Sequence, residues 1–152
     1  MAVYGKNAHK GKFQPLNPLK YEGDVREIFF RSSYEIKAFK WCDNNPSIVK
    51  WSSECVVVLY ISPIDFKQHR YYVDLKITVK NSNESFSTYL IEIKPEKYVN
   101  QPIVPKRKTK SYIEECMQYA VNQAKWEAAT QYALDRGWMF KVITEKHLGI
   151  KR

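Results

Sequence analysis

Cysteine, glycine-rich loops and long apolar stretches are scarce in this chain, and each shortage excludes a class of protein. The three cysteines among 152 residues, Cys42, Cys55 and Cys116, are far apart. None has zinc-finger spacing to another cysteine or to a histidine, so we expect reduced thiols, as in a cytosolic protein. No apolar run approaches the length of a membrane span, and the lysine-bearing N-terminus lacks the apolar core of a signal peptide. We therefore expect neither secretion nor a membrane partner.

Two kinds of catalytic site are also missing. No glycine-rich loop is suited to hold the phosphates of a nucleotide, and no histidine stands near a cysteine in sequence to activate it. The chain has no internal repeat, and its length fits one domain. We place that domain over residues 21–152. Residues 1–20 contain glycines and prolines that favour an extended basic arm.

Acidic residues are outnumbered, which points to an anionic partner. The 25 Lys and Arg residues against 16 Asp and Glu residues give a net charge of +9. Nucleic acid is the commonest anionic partner of such proteins, and the alternative is a merely soluble basic protein. Residues 1–20 and 97–110 contain no acid, so they either follow DNA phosphates or form solvated loops. The candidate DNA contacts are Lys12, His69, Lys106, Arg107, Lys108 and Lys110. For His69, packing at a strand start is the alternative.

The periodicity of apolar residues predicts an α/β domain with the order helix, three-stranded meander, helix, strand. We predict strands over Glu54–Ile61, Tyr71–Lys80, Thr88–Lys94 and Trp138–Thr144. A first helix is expected over Ser32–Asp43, where Ser32 and Glu35 fit a capping box. A long helix is expected over Ser111–Arg136, capped by Ser111 and ended by Gly137. Its predicted buried stripe contains Ile113, Met117, Ala120, Ala124 and Ala128.

Asp74 and the run Glu92-Ile93-Lys94 carry the most informative chemistry. Side chains alternate along a strand, so Glu92 and Lys94 share one face while Ile93 points to the other. If Asp74 faces them from the neighbouring strand, the two carboxylates and the backbone carbonyl of Ile93 form a compact set of oxygen ligands for Mg²⁺. Lys94 would then orient a water molecule or stabilise charge on a phosphate. This set predicts phosphodiester hydrolysis.

Two further carboxylates have open roles. Glu35 either approaches the same cluster, where it would hold a second ion or orient water, or only caps its helix. Glu54 lies at the mouth of a predicted strand and is either catalytic or structural.

The order of helical Glu, then Asp, then Glu-x-Lys on a meander, then helix and strand resembles the PD-(D/E)xK nuclease superfamily. That superfamily includes type II restriction enzymes and Holliday-junction resolvases. Within it, the chain resembles the head completion nucleases of T-even-type bacteriophages over roughly residues 12 to 147. The segments that carry the resemblance are 31–35 (RSSYE), 41–46 (WCDNNP), 51–54 (WSSE), 60–63 (YISP), 69–74 (HRYYVD), 91–95 (IEIKP), 123–129 (QAKWEAA) and 144–146 (TEK). Val73 departs from the superfamily pattern, which has proline before the aspartate.

The resemblance implies a restriction-endonuclease-like fold, a mixed sheet flanked by helices, and a catalytic set of Glu35, Asp74, Glu92 and Lys94. It also implies a Mg²⁺-dependent endonuclease or exonuclease, with Mn²⁺ as a substitute ion. Its implied role is to trim packaged double-stranded DNA so that filled heads join tails, in contact with portal or neck proteins. This would occur in the host cytoplasm during assembly or on the virion. The alternative is a non-catalytic DNA-binding or head–tail joining protein on a nuclease fold.

Overall fold

A computed structural model describes residues 10–149. A mixed four-stranded sheet forms its centre, and two further pairs of strands lie beside this sheet. The strands are β1 (Gly11–Lys12), β2 (Phe29–Phe30), β3 (Ile48–Ser53), β4 (Val57–Ile61), β5 (Gln68–Tyr72), β6 (Leu75–Lys80), β7 (Phe86–Ile93) and β8 (Met139–Ile143). The helices are α1 (Ser33–Asn44), α2 (Glu96–Val99), α3 (Lys110–Asp135) and α4 (Glu145–Leu148), with 3-10 turns at Pro18–Lys20 and Val25–Glu27. No helix within residues 10–149 is long and apolar enough to cross a membrane.

The central sheet has the order β3-β6-β7-β8. Its first three strands are antiparallel neighbours, whereas β8 runs parallel to β7 after the crossover through α3. The predicted helix–strands–helix–strand order and the mixed sheet are therefore confirmed. The tight turn over residues 81–85 joins β6 to β7, and Gly137 ends α3 with a φ of 72°, a left-handed conformation that favours glycine.

The two faces of the sheet bury separate apolar cores. Ile91 and Ile93 of β7 belong to a core shared with Phe39 of α1 and Trp51 of β3. Leu90, on the opposite face of β7, belongs to a second core with α3 and the β4–β5 hairpin. The predicted alternation along β7 is thus confirmed, and Glu92 and Lys94 follow Leu90 toward the second core.

Three element assignments differ from the sequence prediction around the hairpin. The first strand of the sheet is β3, which the sequence analysis did not predict, while β4 pairs with β5 in a separate hairpin. Val57, Leu59 and Ile61 are exposed, so the apolar run that predicted a fully buried strand in fact alternates. The predicted strand over 71–80 is divided at Val73, whose backbone N–H donates to Val56 rather than continuing into the sheet.

The long helix also differs from its prediction. Its N-cap is Thr109, whose hydroxyl accepts from the N–H of Tyr112, and not Ser111. Its buried residues are Asn122, Trp126, Ala129 and Ala133, whereas Ile113 and Met117 of the predicted stripe are exposed. The fully buried residues thus begin at Asn122, and Ala124 and Ala128 of the predicted stripe pack against the second core.

Residues 11–20 do not form the extended arm that their composition predicted. Phe13 is buried in the first core, and the backbone N–H groups of Leu16 and Asn17 donate to the Asp43 carboxylate at 2.7 and 3.0 Å. The Lys20 ammonium donates to three carbonyls at the C-terminal end of α1. The positive charge of Lys20 therefore stabilises a helix end. Residues 1–9 of the predicted arm lie outside the described residues, and the boundary at residue 21 stays a prediction.

Candidate active site

The four predicted catalytic side chains are buried together at one end of the sheet. Glu35, Asp74, Glu92 and Lys94 are each at most 5% exposed. Lone charged groups are rarely buried to this degree, because each loses its hydration. Such a concentration of buried charge is typical of a functional site.

Strand pairing places Asp74 beside Glu92. β6 and β7 are in register at Leu75 and Ile91, so Asp74, which precedes β6, lies next to the end of β7. Its Oδ2 accepts the N–H of Ile93 at 2.8 Å. Burial, and then the charge of Glu92, raise the pKa of Asp74 well above its ordinary value, although the Ile93 hydrogen bond opposes this. The site therefore disfavours two ionised carboxylates until a positive charge joins them.

Glu35 reaches this cluster from the first turn of α1. The Ser32 hydroxyl accepts the N–H of Glu35 at 3.1 Å, which confirms the predicted N-cap. The Glu35 carboxylate accepts the backbone N–H of Arg31 at 3.0 Å. Burial is the main cause that raises the pKa of Glu35. The Glu35 carboxylate thus lies in the acidic cluster and accepts from Arg31, not from the N-cap N–H of Ser32 that a complete capping box would use.

Glu54 joins the cluster through an unusual backbone conformation. Its φ is 54°, in the left-handed region, at the end of β3. Carboxylate oxygens of Glu35, Glu54 and Asp74 all lie within 4.8 Å of one another. The Arg31 guanidinium binds Glu54 through both nitrogens at 2.5 and 3.2 Å. Glu54, the residue whose role was left open, therefore lies with the acidic side chains of the site.

This donor set fits a hard divalent cation. Three carboxylates offer oxygen ligands at a separation that one ion can bridge, and two of them are buried where their mutual repulsion is not relieved by water. No cysteine or histidine belongs to this group, so its chemistry favours Mg²⁺ or Mn²⁺ over softer metals.

Lys94 lies directly after β7 and its backbone N–H donates to Ile143 of β8 at 2.9 Å. Burial lowers the pKa of Lys94, and the charge of Lys125 lowers it further, while Glu92 and Asp74 oppose the shift. A buried ammonium between carboxylates and a second lysine can hold a water molecule or give up a proton more readily than a surface lysine.

Sequence reasoning did not find Arg31, and it left Tyr71 and Lys125 open between a contact to DNA and packing in the core. The Tyr71 hydroxyl donates to Glu92. Lys125, on α3, holds its ammonium 5.6 Å from the centre of the Tyr71 ring. These contacts join segments far apart in the chain, so no local pattern could reveal them.

None of the predicted DNA contacts belongs to the buried cluster. The basic segment (Lys106, Arg107, Lys108 and Lys110) is exposed in the connection after α2 and at the first residue of α3, and Lys12 is exposed beside Phe29. His69 is ion-paired with Asp65 at 2.7 Å and packs on Tyr60 within the hairpin. The roles of all six residues in DNA binding stay predictions.

Most of the site lies in a segment that is similar to a known protein family. A family model described as TnsA-like endonuclease N terminal matches residues 45–145, which include Glu54, Asp74, Glu92 and Lys94. The chain belongs to the TnsA-like endonuclease family. This membership confirms the predicted restriction-endonuclease-like fold, and the mixed sheet with flanking helices agrees with it.

A similar protein extends the match beyond residues 45–145. The protein named head completion nuclease from Enterobacteria phage T4 is 37% identical over 145 residues, which cover 93% of this chain and 94% of that protein. The chain therefore belongs to the head completion nuclease family as well, and the predicted resemblance is confirmed. The chain matches no solved structure.

Proposed function

We propose that this protein is a Mg²⁺-dependent DNA nuclease that acts in phage head completion, where it trims packaged double-stranded DNA so that filled heads can join tails. The observation that carries the proposal is that Asp74, Glu92 and Lys94 are buried together at one end of the central sheet. The chain that forms this sheet belongs to an endonuclease family. The relative named head completion nuclease supports the biological setting. From the same relative we propose portal or neck proteins as partners. We propose that the protein acts in the host cytoplasm during assembly or on the virion.

The acidic residues have the role of holding the cation. Asp74 and Glu92 provide the main oxygen ligands, the backbone carbonyl of Ile93 joins them, and Glu35 and Glu54 complete the acidic cluster or hold a second ion. A bound divalent ion would neutralise the negative charge that develops on the scissile phosphate. The raised pKa of Asp74 supports this role, because burial and then the charge of Glu92 disfavour its ionised form, and a bound cation would offset both.

Lys94 acts on the attacking water. It orients the water for in-line attack on phosphorus and, in its neutral form, accepts a proton as the new P–O bond forms and the bond to the leaving deoxyribose oxygen breaks. Burial favours that neutral form by lowering the pKa of Lys94. The exposed basic segment contacts DNA phosphates outside the cluster.

The test is cleavage of supercoiled plasmid and of linear duplex in Mg²⁺, in Mn²⁺ or in EDTA. We expect the wild-type protein to cut in either metal and to be inactive in EDTA. Lys94→Ala should lose cutting while it keeps DNA binding. Lys141→Ala, which removes an exposed lysine on the adjacent strand β8, is the matched control and should cut normally. The product pattern separates endonuclease from exonuclease action.

Two outcomes would contradict the proposal. Cutting that survives excess EDTA would exclude the metal, and Lys94→Ala at the wild-type rate would exclude the site. A wild-type protein that binds DNA but cuts no duplex with any divalent ion would favour the alternative, a DNA-binding or head–tail joining protein on a nuclease fold.

A further inference from the structure

The β4–β5 hairpin lies outside the four-stranded sheet, yet it sends one side chain into the site. Tyr71 of β5 is 3% exposed and its hydroxyl donates a hydrogen bond to Oε2 of Glu92. We propose that Tyr71 is a positioning residue, which fixes the orientation of the Glu92 carboxylate. This inference rests on the proposed nuclease function.

Tyr71 can serve Glu92 only as a donor. An ionised carboxylate offers only acceptors, so the phenol O–H is the donor of this hydrogen bond. A carboxylate has two oxygens, so this contact occupies one of them and leaves the other for a cation.

The hairpin and α3 hold the phenol ring rigidly. Tyr71 pairs with Val58 of β4 and packs in the second core, where its neighbours include Leu90 and Trp126. The Lys125 ammonium lies 5.6 Å from the ring centre. A ring fixed on several sides can orient a partner, because its hydroxyl has little freedom to follow that partner.

The orientation of Glu92 matters because this residue lies beside both halves of the site. It shares a face of the chain with Lys94 at the end of β7, and Asp74 accepts the N–H of Ile93, the residue between them, at 2.8 Å. The group of three clustered carboxylates, in contrast, consists of Glu35, Glu54 and Asp74. Glu92 is thus the acidic residue that connects the cation cluster with Lys94, and its rotation would change both.

Tyr60 offers a matched control on the same hairpin. It is 9% exposed, it belongs to the same core, and Lys125 lies 5.8 Å from its ring. Its hydroxyl makes no hydrogen bond to Glu92 in the described part of the chain. Tyr60→Phe therefore removes a tyrosine hydroxyl from a ring beside Lys125, as Tyr71→Phe does, but leaves the hydrogen bond to Glu92 in place.

The experiment compares Tyr71→Phe with Tyr60→Phe in the full-length protein. Mn²⁺ affinity is measured by calorimetry without DNA, cleavage by single-turnover kinetics, DNA affinity in EDTA, and folding by thermal melting. We expect Tyr71→Phe to bind Mn²⁺ roughly 10- to 100-fold more weakly, the usual effect of losing a partner of a metal ligand. It should also cut more slowly, with unchanged DNA affinity and little change in melting temperature. Tyr60→Phe should bind Mn²⁺ and cut as the wild type does.

A second comparison shows whether Tyr71 acts through Glu92. In a Glu92→Gln background, Tyr71→Phe should produce no further loss of Mn²⁺ affinity, because the oriented carboxylate is already absent. An equal further loss there, an equal loss in Tyr60→Phe, or wild-type affinity in Tyr71→Phe would each overturn the inference. A wild-type protein that neither binds Mn²⁺ nor cuts DNA would overturn the proposed function as well.

Discussion

At the scale of single residues, Asp74 shows how the site opposes folding when no cation is bound. Its raised pKa means that the folded chain retains a proton that the unfolded chain releases above about pH 4. The free energy of unfolding must therefore fall as the pH rises toward the raised value. Glu35 contributes with the same sign. Lys94, whose pKa is lowered, contributes with the opposite sign and only at higher pH.

We therefore predict that the metal-free protein loses stability as the pH rises above about 4, the value at which Asp74 ionises in the unfolded chain, and that Asp74→Asn reduces this loss. The amide carries no charge, so the variant should be the more stable protein at the higher pH values. Urea unfolding in EDTA at several pH values measures the effect. Glu127→Gln, which removes an exposed carboxylate on α3, should keep the wild-type slope. An equal slope in Asp74→Asn would show that Asp74 ionises normally.

Site residues could be predicted where a local sequence pattern marks them, and not where their contacts join distant parts of the chain. Asp74, Glu92 and Lys94 follow from the period of two along adjacent strands. Tyr71 and Arg31 contact their partners across 21 and 23 positions in the chain, and no periodicity links such pairs. The membership of Glu54 in the cluster depends on a left-handed φ that its sequence does not specify.

At the scale of elements, the sequence predicted which segments are strands better than which strands pair. Val57, Leu59 and Ile61 read as a buried strand because apolar runs are usually buried on both faces. They are exposed because, within residues 10–149, β4 pairs with β5 alone and packs on α3 by its other face. The stripe of α3 was predicted in part, since Ala124 and Ala128 pack against the second core while Ile113 and Met117 are exposed. Periodicity indicates a face of a helix but not how much of its length is covered.

The N-cap of α3 provides a direct test at this scale. Thr109→Ala removes the acceptor of the Tyr112 N–H and should lower the free energy of unfolding by about 1 kcal/mol. Ser111→Ala, two residues later and exposed within the helix, should change stability little. Urea unfolding of both variants measures the difference. If Ser111→Ala lowered the free energy of unfolding more than Thr109→Ala, the N-cap would be Ser111, as the sequence predicted.

At the scale of the whole molecule, most of the positive charge lies outside the acidic cluster. The net charge is +9, yet the site contains four carboxylates, Glu35, Glu54, Asp74 and Glu92, against three cations, Arg31, Lys94 and Lys125. The carboxylates outnumber these cations and repel phosphate until a metal ion is bound. Attraction of DNA must therefore come from exposed cations elsewhere on the surface, of which the basic segment is the densest acid-free group.

This separation predicts that DNA affinity and cleavage can be changed independently. Replacing all four residues of the basic segment by glutamine should reduce the salt dependence of DNA binding by up to about 3.6 in the slope of log K against log salt, since each lost phosphate contact removes about 0.9. Cleavage by DNA-saturated protein should stay near the wild-type rate, because the buried site is unchanged. The matched control replaces four exposed lysines elsewhere, Lys37, Lys40, Lys50 and Lys80. An equal fall in slope for this control would mean that net charge, and not the basic segment, attracts DNA.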